Sequence, residues 1–360
     1  MEKSKVKIVF SISNFDTSGS GKVVYDLAKF LDPAKFEVEI VCKNSKGYFF
    51  KEVEELAKPV HFMQFNQPYR PYFNLLFRIN PYRKFIKNKG YDIVHSWYWS
   101  SDWTEALAVR LAGAKFIYTK KSMSWGGVHW KIKSFLSNFI ITTNKGMDVF
   151  FPSKVNKMII PFGVDTNHLK PVNDVSKQKK YAFKIITVAN LVPLKSIEDI
   201  MKAMHLLDKE DIEFTIIGDH HNEYGQYLQD LAKTLKIHHQ VFFLGKQLDI
   251  KQFLNEADLY IIPSQREGLP VALLEAMSMA LPVLGSDIDG IRYVLDDFPD
   301  LLFEQGNEKQ LAEKILYFYK MSPEERNALG QTIRAYCIKH FSMEVFIQKH
   351  EELYLKIVKK

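Results

Sequence analysis

The sequence predicts an α/β protein built from two doubly wound, Rossmann-like domains. Short runs rich in Val, Ile and Phe alternate with stretches of helical periodicity, and the alternation occurs twice. A polar, lysine-rich stretch separates the two series. In the first series, strands are expected at 7–13, 37–42, 60–65, 93–97, 116–119, 140–143 and 158–161. The second restarts at 183–189 and continues at 214–218, 241–245, 259–263, 283–286 and 301–303. Helices occupy most of the intervals between strands. This gives a first domain at 1–166, a connection at 167–181 containing Pro171, and a second domain at 182–340. Two helical segments, 324–340 and 343–358, follow Pro323, and the terminal piece, 341–360, is free to fold back onto the first domain. Two such sheets are expected to turn their carboxyl ends towards a shared central cleft, where doubly wound folds bind ligands.

The composition narrows the class. A chain of 360 residues that is 46% hydrophobic can fill two cores. Its two cysteines, Cys42 and Cys337, offer neither a disulfide framework nor metal-ligand spacing, which points to a reducing, cytoplasmic setting. The apolar run at 8–12 is too short for a signal-peptide core or a membrane span. An excess of 49 basic over 42 acidic residues gives a formal charge of +7, which favours anionic partners. No zinc finger, RRM or similar motif accompanies that charge, so nucleic acid is not expected as a partner.

The most informative stretch is Pro263-Ser264-Gln265-Arg266-Glu267-Gly268-Leu269-Pro270, leading into Val271-Ala-Leu-Leu-Glu275-Ala-Met277. It sets two carboxylates eight residues apart around a helix start. Pro270 fits the first helical position, where a missing N–H costs nothing. The amides near Gly268 and Leu269 are then expected to be free and to attract a phosphate together with the helix dipole. Glu275 lies in an otherwise apolar run from 271 to 284, where an ionised carboxylate needs a partner, and a vicinal diol such as ribose would serve. The plain alternative is a solvated helix glutamate.

Together with Leu274-Glu275-Ala276-Met277 and Pro282-Val283, this stretch resembles the E-x7-E signature of the family-4 retaining glycosyltransferases. The resemblance implies a GT-B fold, with Glu267 beside the reacting sugar and donor phosphate and Glu275 on the ribose hydroxyls. Val188-Ala189-Asn190-Leu191-Val192-Pro193-Leu194-Lys195-Ser196 resembles the family's Gly-Arg-Leu-x-x-x-Lys-Gly loop, in which the two cations neutralise the donor diphosphate. Lys195 matches, whereas Asn190 replaces the arginine and forgoes a charge-assisted bond worth roughly 1.5–3 kcal/mol. Arg266 is a candidate substitute cation. The segment Ser18-Gly19-Ser20-Gly21, before Asp26, resembles the family's Gly-Gly-Ala-Glu loop, with Gly19 as the residue that lets backbone approach the donor. It matches neither the P-loop nor the dinucleotide fingerprint. Ser286-Asp287-Ile288-Asp289-Gly290 contains an Asp-x-Asp, but Asp287 and Gly290 fit the family's Asp-x-x-Gly turn, and no metal or other cofactor is expected.

The acceptor side is expected in the first domain, with Lys121, Trp125 and His129 as candidates. Its basic and aromatic residues, such as Tyr69-Arg-Pro-Tyr-Phe-Asn-Leu-Leu-Phe-Arg78, are open to two readings. One is an amphipathic helix that packs Phe73, Leu76, Phe77 and Phe85 into its own domain. The other is contact with an anionic inner-membrane surface, with the protein peripheral there. The resemblance implies a retaining hexosyltransferase acting from a nucleotide diphosphate sugar onto a glycan or lipid-linked acceptor in cell-surface polysaccharide or glycolipid synthesis. A catalytically silent GT-B subunit and a sugar-nucleotide epimerase are the alternatives.

Overall fold

The computed structural model describes residues 5–15, 18–47, 49–125, 127–172 and 183–359. The chain divides into two compact units, one formed by Met1–Phe162 with Phe346–Lys360 and the other by Gly163–Val345.

Among the described residues, the first unit contains seven parallel strands: β1 (Val6–Ile12), β2 (Phe36–Cys42), β3 (Val60–Phe62), β4 (Ile93–Ser96), β5 (Lys115–Lys120), β6 (Phe139–Thr142) and β7 (Lys157–Ile159), in the order β3-β2-β1-β4-β5-β6-β7. The second contains six: β8 (Phe183–Val188), β9 (Ile212–Ile217), β10 (Val241–Phe243), β11 (Leu259–Ile262), β12 (Val283–Ser286) and β13 (Leu302–Phe303), in the order β10-β9-β8-β11-β12-β13. Every expected strand is present. Helices cover both faces of such sheets, which is why the central strands are apolar along their whole length rather than alternating. β4, β11 and β12 are buried at every position. Chain order reverses between β1 and β4 and again between β8 and β11, and each reversal is where a doubly wound sheet leaves a crevice at its carboxyl edge.

The border between the units falls at Phe162, a little before the expected one. Val164 forms an isolated parallel bridge with Ser342, and its amide bonds to the Phe341 carbonyl at 2.9 Å. The Arg334 guanidinium donates to the carbonyls of Thr166 and Leu169, both at 3.0 Å, so the start of the expected connection is built into the second unit. Residues 173–181 of that connection lie outside the described residues.

The helix Pro323–Phe341 opens with a capping box between Ser322 and Glu325 and has Pro at its start. It packs closely on the second unit: a Cβ on Gly330 would stand 1.9 Å from the Ala280 carbonyl oxygen. The last helix, Met343–Val358, joins the first unit from Phe346 onward. There the Tyr354 hydroxyl meets His95 Nδ1 at 2.7 Å, and Glu351 accepts from the Asp32 amide and Lys35 Nζ.

The helix Leu75–Lys89 departs from the inward-packing expectation. Leu75, Ile79, Tyr82 and Ile86 form its buried stripe, with Phe85 partly buried against the same core. Phe73 is 89%, Leu76 65% and Phe77 81% exposed. Helical spacing explains the outcome: the stripe at 75, 79, 82 and 86 already fills the face turned to the sheet, and positions 73, 76 and 77 lie on the other side. No helix among the described residues is long and apolar enough to cross a membrane.

Candidate functional site

At the carboxyl edge of the second sheet, the loop after β8 meets the loop after β11. Lys195 Nζ lies 2.5 Å from Glu267 Oε1, with side chains only 24% and 12% exposed. Ser264, fully buried, donates to the same oxygen at 2.8 Å. The two loops are fastened by main chain as well, since the Gln265 amide bonds to the Leu194 carbonyl at 2.9 Å and Gln265 Nε2 to Ser196 Oγ at 2.9 Å. Ser196 precedes the helix Ile197–Leu207 in a left-handed conformation, φ 48°, a strained state for a serine that these neighbours hold in place. The loop after β9 joins them: Asn222 caps the helix Glu223–Thr234 and donates to the Leu191 carbonyl, and a Cβ on Gly218 would be 2.0 Å from the Ala189 carbonyl oxygen.

The helix after Glu267 runs from Val271 to Ser278, and Pro270 is its N-cap rather than its first helical residue. The correction has a simple cause. Pro270 is extended, φ −80° and ψ 100°, and its carbonyl accepts the amides of Leu273 and Leu274, the bond an N-cap makes. At Gly268, where a free, outward amide is expected, the loop packs against the next helix. That residue is engaged by the protein, and its carbonyl and that of Glu267 press on Gly290, where a Cβ would lie 2.8 and 2.5 Å from them. Leu269 is buried in the core. Glu275 is half-buried on this helix and also has an interaction within the protein. Burial first, and then the charges of Glu267 and Glu275, hold the enclosed Tyr260 hydroxyl well above its ordinary pKa. Both carboxylates therefore lie within electrostatic reach of Tyr260 on β11. Asn190 and Arg266 are exposed on the flanking loops. Asp287 and Asp289 both pair with Arg292, at 2.6 and 3.3 Å. Ser264, Gln265, Gly218 and Asn222 were not singled out from the sequence. Asn222 had a readable signal, an Asn directly before a helical pattern.

Gly19, Lys121, Trp125 and His129 belong to the first unit. Gly19 lies in the first turn of the helix Ser18–Phe30 rather than in a loop, and a Cβ there would meet nothing within 4 Å. Lys121, just after β5, donates to the Trp97 carbonyl at 2.6 Å and to Ser20 Oγ at 2.7 Å. Burial, and then the charge of Lys133, bring its pKa down to about 7. Trp125 stacks on Phe150 at 5.3 Å and on Trp130 at 5.7 Å. His129 Nδ1 accepts from Trp103 Nε1 at 3.1 Å, and its ring lies 4.5 Å from that of Tyr69. The three acceptor candidates thus enter three different sets of contacts. Glu105 went unnoticed because it sits alone in a helical pattern. It is buried, and it accepts from Ser11 on β1 and, at 2.7 Å, from Ser96 on β4. Burial raises its pKa.

Two doubly wound parallel sheets with these loops at their carboxyl edges define the GT-B class of glycosyltransferases. Solved structures share the fold: a glycosyltransferase from Rickettsia africae at 19% identity has a TM-score of 0.87, covering 99% of this chain and 100% of the other. HepE from Anabaena, solved in complex with UDP and glucose, has 17% identity and a TM-score of 0.78 over 96% of this chain and 98% of its own. The model "Glycosyltransferase Family 4" matches residues 17–167, and the model "Glycosyl transferases group 1" matches residues 172–336. The chain belongs to the family-4 glycosyltransferases. It is similar to N-acetyl-alpha-D-glucosaminyl L-malate synthase of Bacillus anthracis, 28% identical over 55% of this chain and about half, 51%, of that relative's length. It is also similar to UDP-Gal:alpha-D-GlcNAc-diphosphoundecaprenol alpha-1,3-galactosyltransferase of Escherichia coli, 23% identical over 99% of this chain and 98% of the relative.

Proposed function

We propose that this glycosyltransferase is a retaining hexosyltransferase. It would move a hexose or hexose derivative from a nucleotide diphosphate sugar to a glycan or lipid-linked acceptor in cell-surface polysaccharide or glycolipid synthesis. The observation that carries the reading is the Lys195–Glu267 pair at the reversal between β8 and β11, with Glu275 on the helix that follows. Glu275 binds the ribose diol. The Lys195 ammonium uses one N–H on Glu267 and has two more to offer a diphosphate oxygen. In the reaction the bond from the anomeric carbon to the diphosphate oxygen breaks, and Lys195, with the loop Gly268–Pro270 and the N-terminus of the helix Val271–Ser278, stabilises the charge that develops there. The acceptor hydroxyl bonds to the same face of the anomeric carbon, and its proton passes to the departing phosphate. Glu267 orients the sugar and stabilises its developing positive charge, and no metal or other cofactor takes part. Asn190 and Arg266 line the donor side, whereas Gly19, Lys121, Trp125 and His129 serve the first unit's approach to donor and acceptor. The setting is the cytoplasm, at the inner face of the membrane, and the diphosphoundecaprenol named for the Escherichia coli relative supports a lipid-linked acceptor.

Titration calorimetry with UDP, GDP and ADP on the protein and its Glu275→Ala variant tests the reading. UDP comes first because HepE was solved with it. Binding of one nucleotide that the variant loses supports the donor site. A folded protein that binds none at millimolar concentration would give the lead to a silent subunit, a reading that Asn190 in place of arginine favours.

A further inference from the structure

The exposed side of the helix Leu75–Lys89 and the turn before it is not needed by the first unit's core. That core is already served by Leu75, Ile79, Tyr82 and Ile86. On the outer side, Phe73, Leu76 and Phe77 stand 89%, 65% and 81% exposed, and Tyr72 beside them is 58% exposed. Large apolar side chains clustered in this way on a surface mark an interaction site. The cluster is held firmly, because the Arg78 guanidinium donates to the carbonyls of Arg70 and Pro71, both at 2.8 Å, tying the turn to the helix. Further along the same face the residues turn basic, with Lys84 and Lys87 exposed.

The charge pattern is one-sided. Residues 59–91 and 106–147 together carry thirteen of the 49 lysines and arginines and none of the 42 acidic residues, so the remainder of the chain is net acidic. Lys120, Lys121 and Lys133 among the thirteen turn inward, and the others leave these segments basic. The two acid-free segments are neighbours in the fold. Arg83 donates to the Leu111 carbonyl and Arg110 to the Leu136 carbonyl, which links the helices Leu75–Lys89, Thr104–Ala112 and Gly127–Leu136 in sequence. The third helix adds exposed Val128 and Phe135 and the exposed cation Lys131.

We propose that this face docks on an anionic lipid bilayer, with Phe73, Leu76 and Phe77 inserted at the headgroup level and Lys84 and Lys87 on the lipid phosphates. Exposed aromatic and aliphatic side chains beside basic residues, with no acid among them, match the two attractions such a surface offers. A second copy of the chain is a poor occupant, because a two-fold contact through this face would set one acid-free surface against another. Nucleic acid would use the charge but leave the aliphatic side chain of Leu76 without a role. The inference deepens the lipid-linked part of the proposed function and rests on it. Vesicle binding needs no donor, so its failure is distinguishable from failure of sugar transfer.

The test is flotation of the full chain with vesicles of phosphatidylcholine alone and of phosphatidylcholine with 30% phosphatidylglycerol, at about 0.1 M and 0.5 M NaCl. The expected result is binding to the anionic vesicles only, weakened by salt. Phe73→Ser with Phe77→Ser, and separately Lys84→Glu with Lys87→Glu, should each lower the partition about tenfold or more. All four positions are surface-facing, so the variants keep the far-UV spectrum and unfolding midpoint. Absence of binding to either vesicle by the folded protein overturns the proposal. So does binding that the Phe73/Phe77 variant retains, a concentration-dependent dimer that this variant abolishes, or an affinity for a single-stranded oligonucleotide that exceeds that for the vesicles.

Discussion

Beside β8 and β11, the second unit sets a lysine directly against a glutamate, and nearly every residue involved comes from two contiguous stretches of sequence, 189–196 and 263–275. Beside β1 and β4, the first unit sets Lys121 against a carbonyl and a hydroxyl, and it buries Glu105 against serines from both strands. The strand order around the two reversals is the same and the electrostatics differ. In the second unit the charges neutralise each other at a half-open edge. In the first unit Lys120, Lys121 and Lys133 are drawn inward, and burial brings their pKa values down to about 8, 7 and 8. A pair that meets across two loops can exchange its partner for a ligand, whereas the buried Lys120 and Lys133 ammoniums are held by backbone carbonyls of the fold around them.

The largest expected effect tests the pair itself. Lys195→Ala should cut kcat/KM by roughly a hundredfold to a thousandfold, the range for removing one preorganised group at a developing anion. Activity that survives intact would move the phosphate-binding role to Arg266 or elsewhere. Next comes Glu275→Ala, which should weaken nucleotide binding roughly tenfold to a hundredfold, as a lost hydrogen bond to a charged group does. Asn190→Arg should act in the opposite direction and strengthen diphosphate binding about tenfold.

A smaller contrast separates the glycines of the two units. Gly218→Ala should destabilise the second unit by about 3 kcal/mol, because the added Cβ falls 2.0 Å from a backbone oxygen that cannot retreat. Gly19→Ala should leave the first unit as stable as before or up to about 1 kcal/mol more so, since the site is open and alanine suits a helix. Urea unfolding distinguishes the two: all five tryptophans lie in the first unit, so their emission should ignore Gly218→Ala while the far-UV signal shifts.

The smallest effect is one of pH. Burial holds His350 down at about 4, and burial followed by the charges of His350 and Lys121 holds His95 well below 6.5. Folded values below the unfolded one mean that this contribution is complete above about pH 6.5 and fades as pH falls towards 4. Protection factors for backbone hydrogen exchange in the helix Met343–Val358, which allow for the slower intrinsic exchange at low pH, should fall over that window. Unchanged protection factors would show that the His95–Tyr354 contact does not hold the helix.

Much of this protein was readable from its residues because the signals are local. Apolar runs of strand length and helical periodicity are properties of short segments, so all thirteen strands among the described residues could be located. The eight-residue spacing of Glu267 and Glu275 likewise lies within one loop and its helix. What the tertiary structure alone decided depends on packing between segments distant in sequence. It made Pro270 an N-cap, engaged Gly268 where the chain meets Gly290, and took up Trp125 in an aromatic stack with Phe150. It also turned Phe73, Leu76 and Phe77 outward. A helical pattern shows that a sequence has apolar faces, and only the positions of its neighbours determine which face is covered.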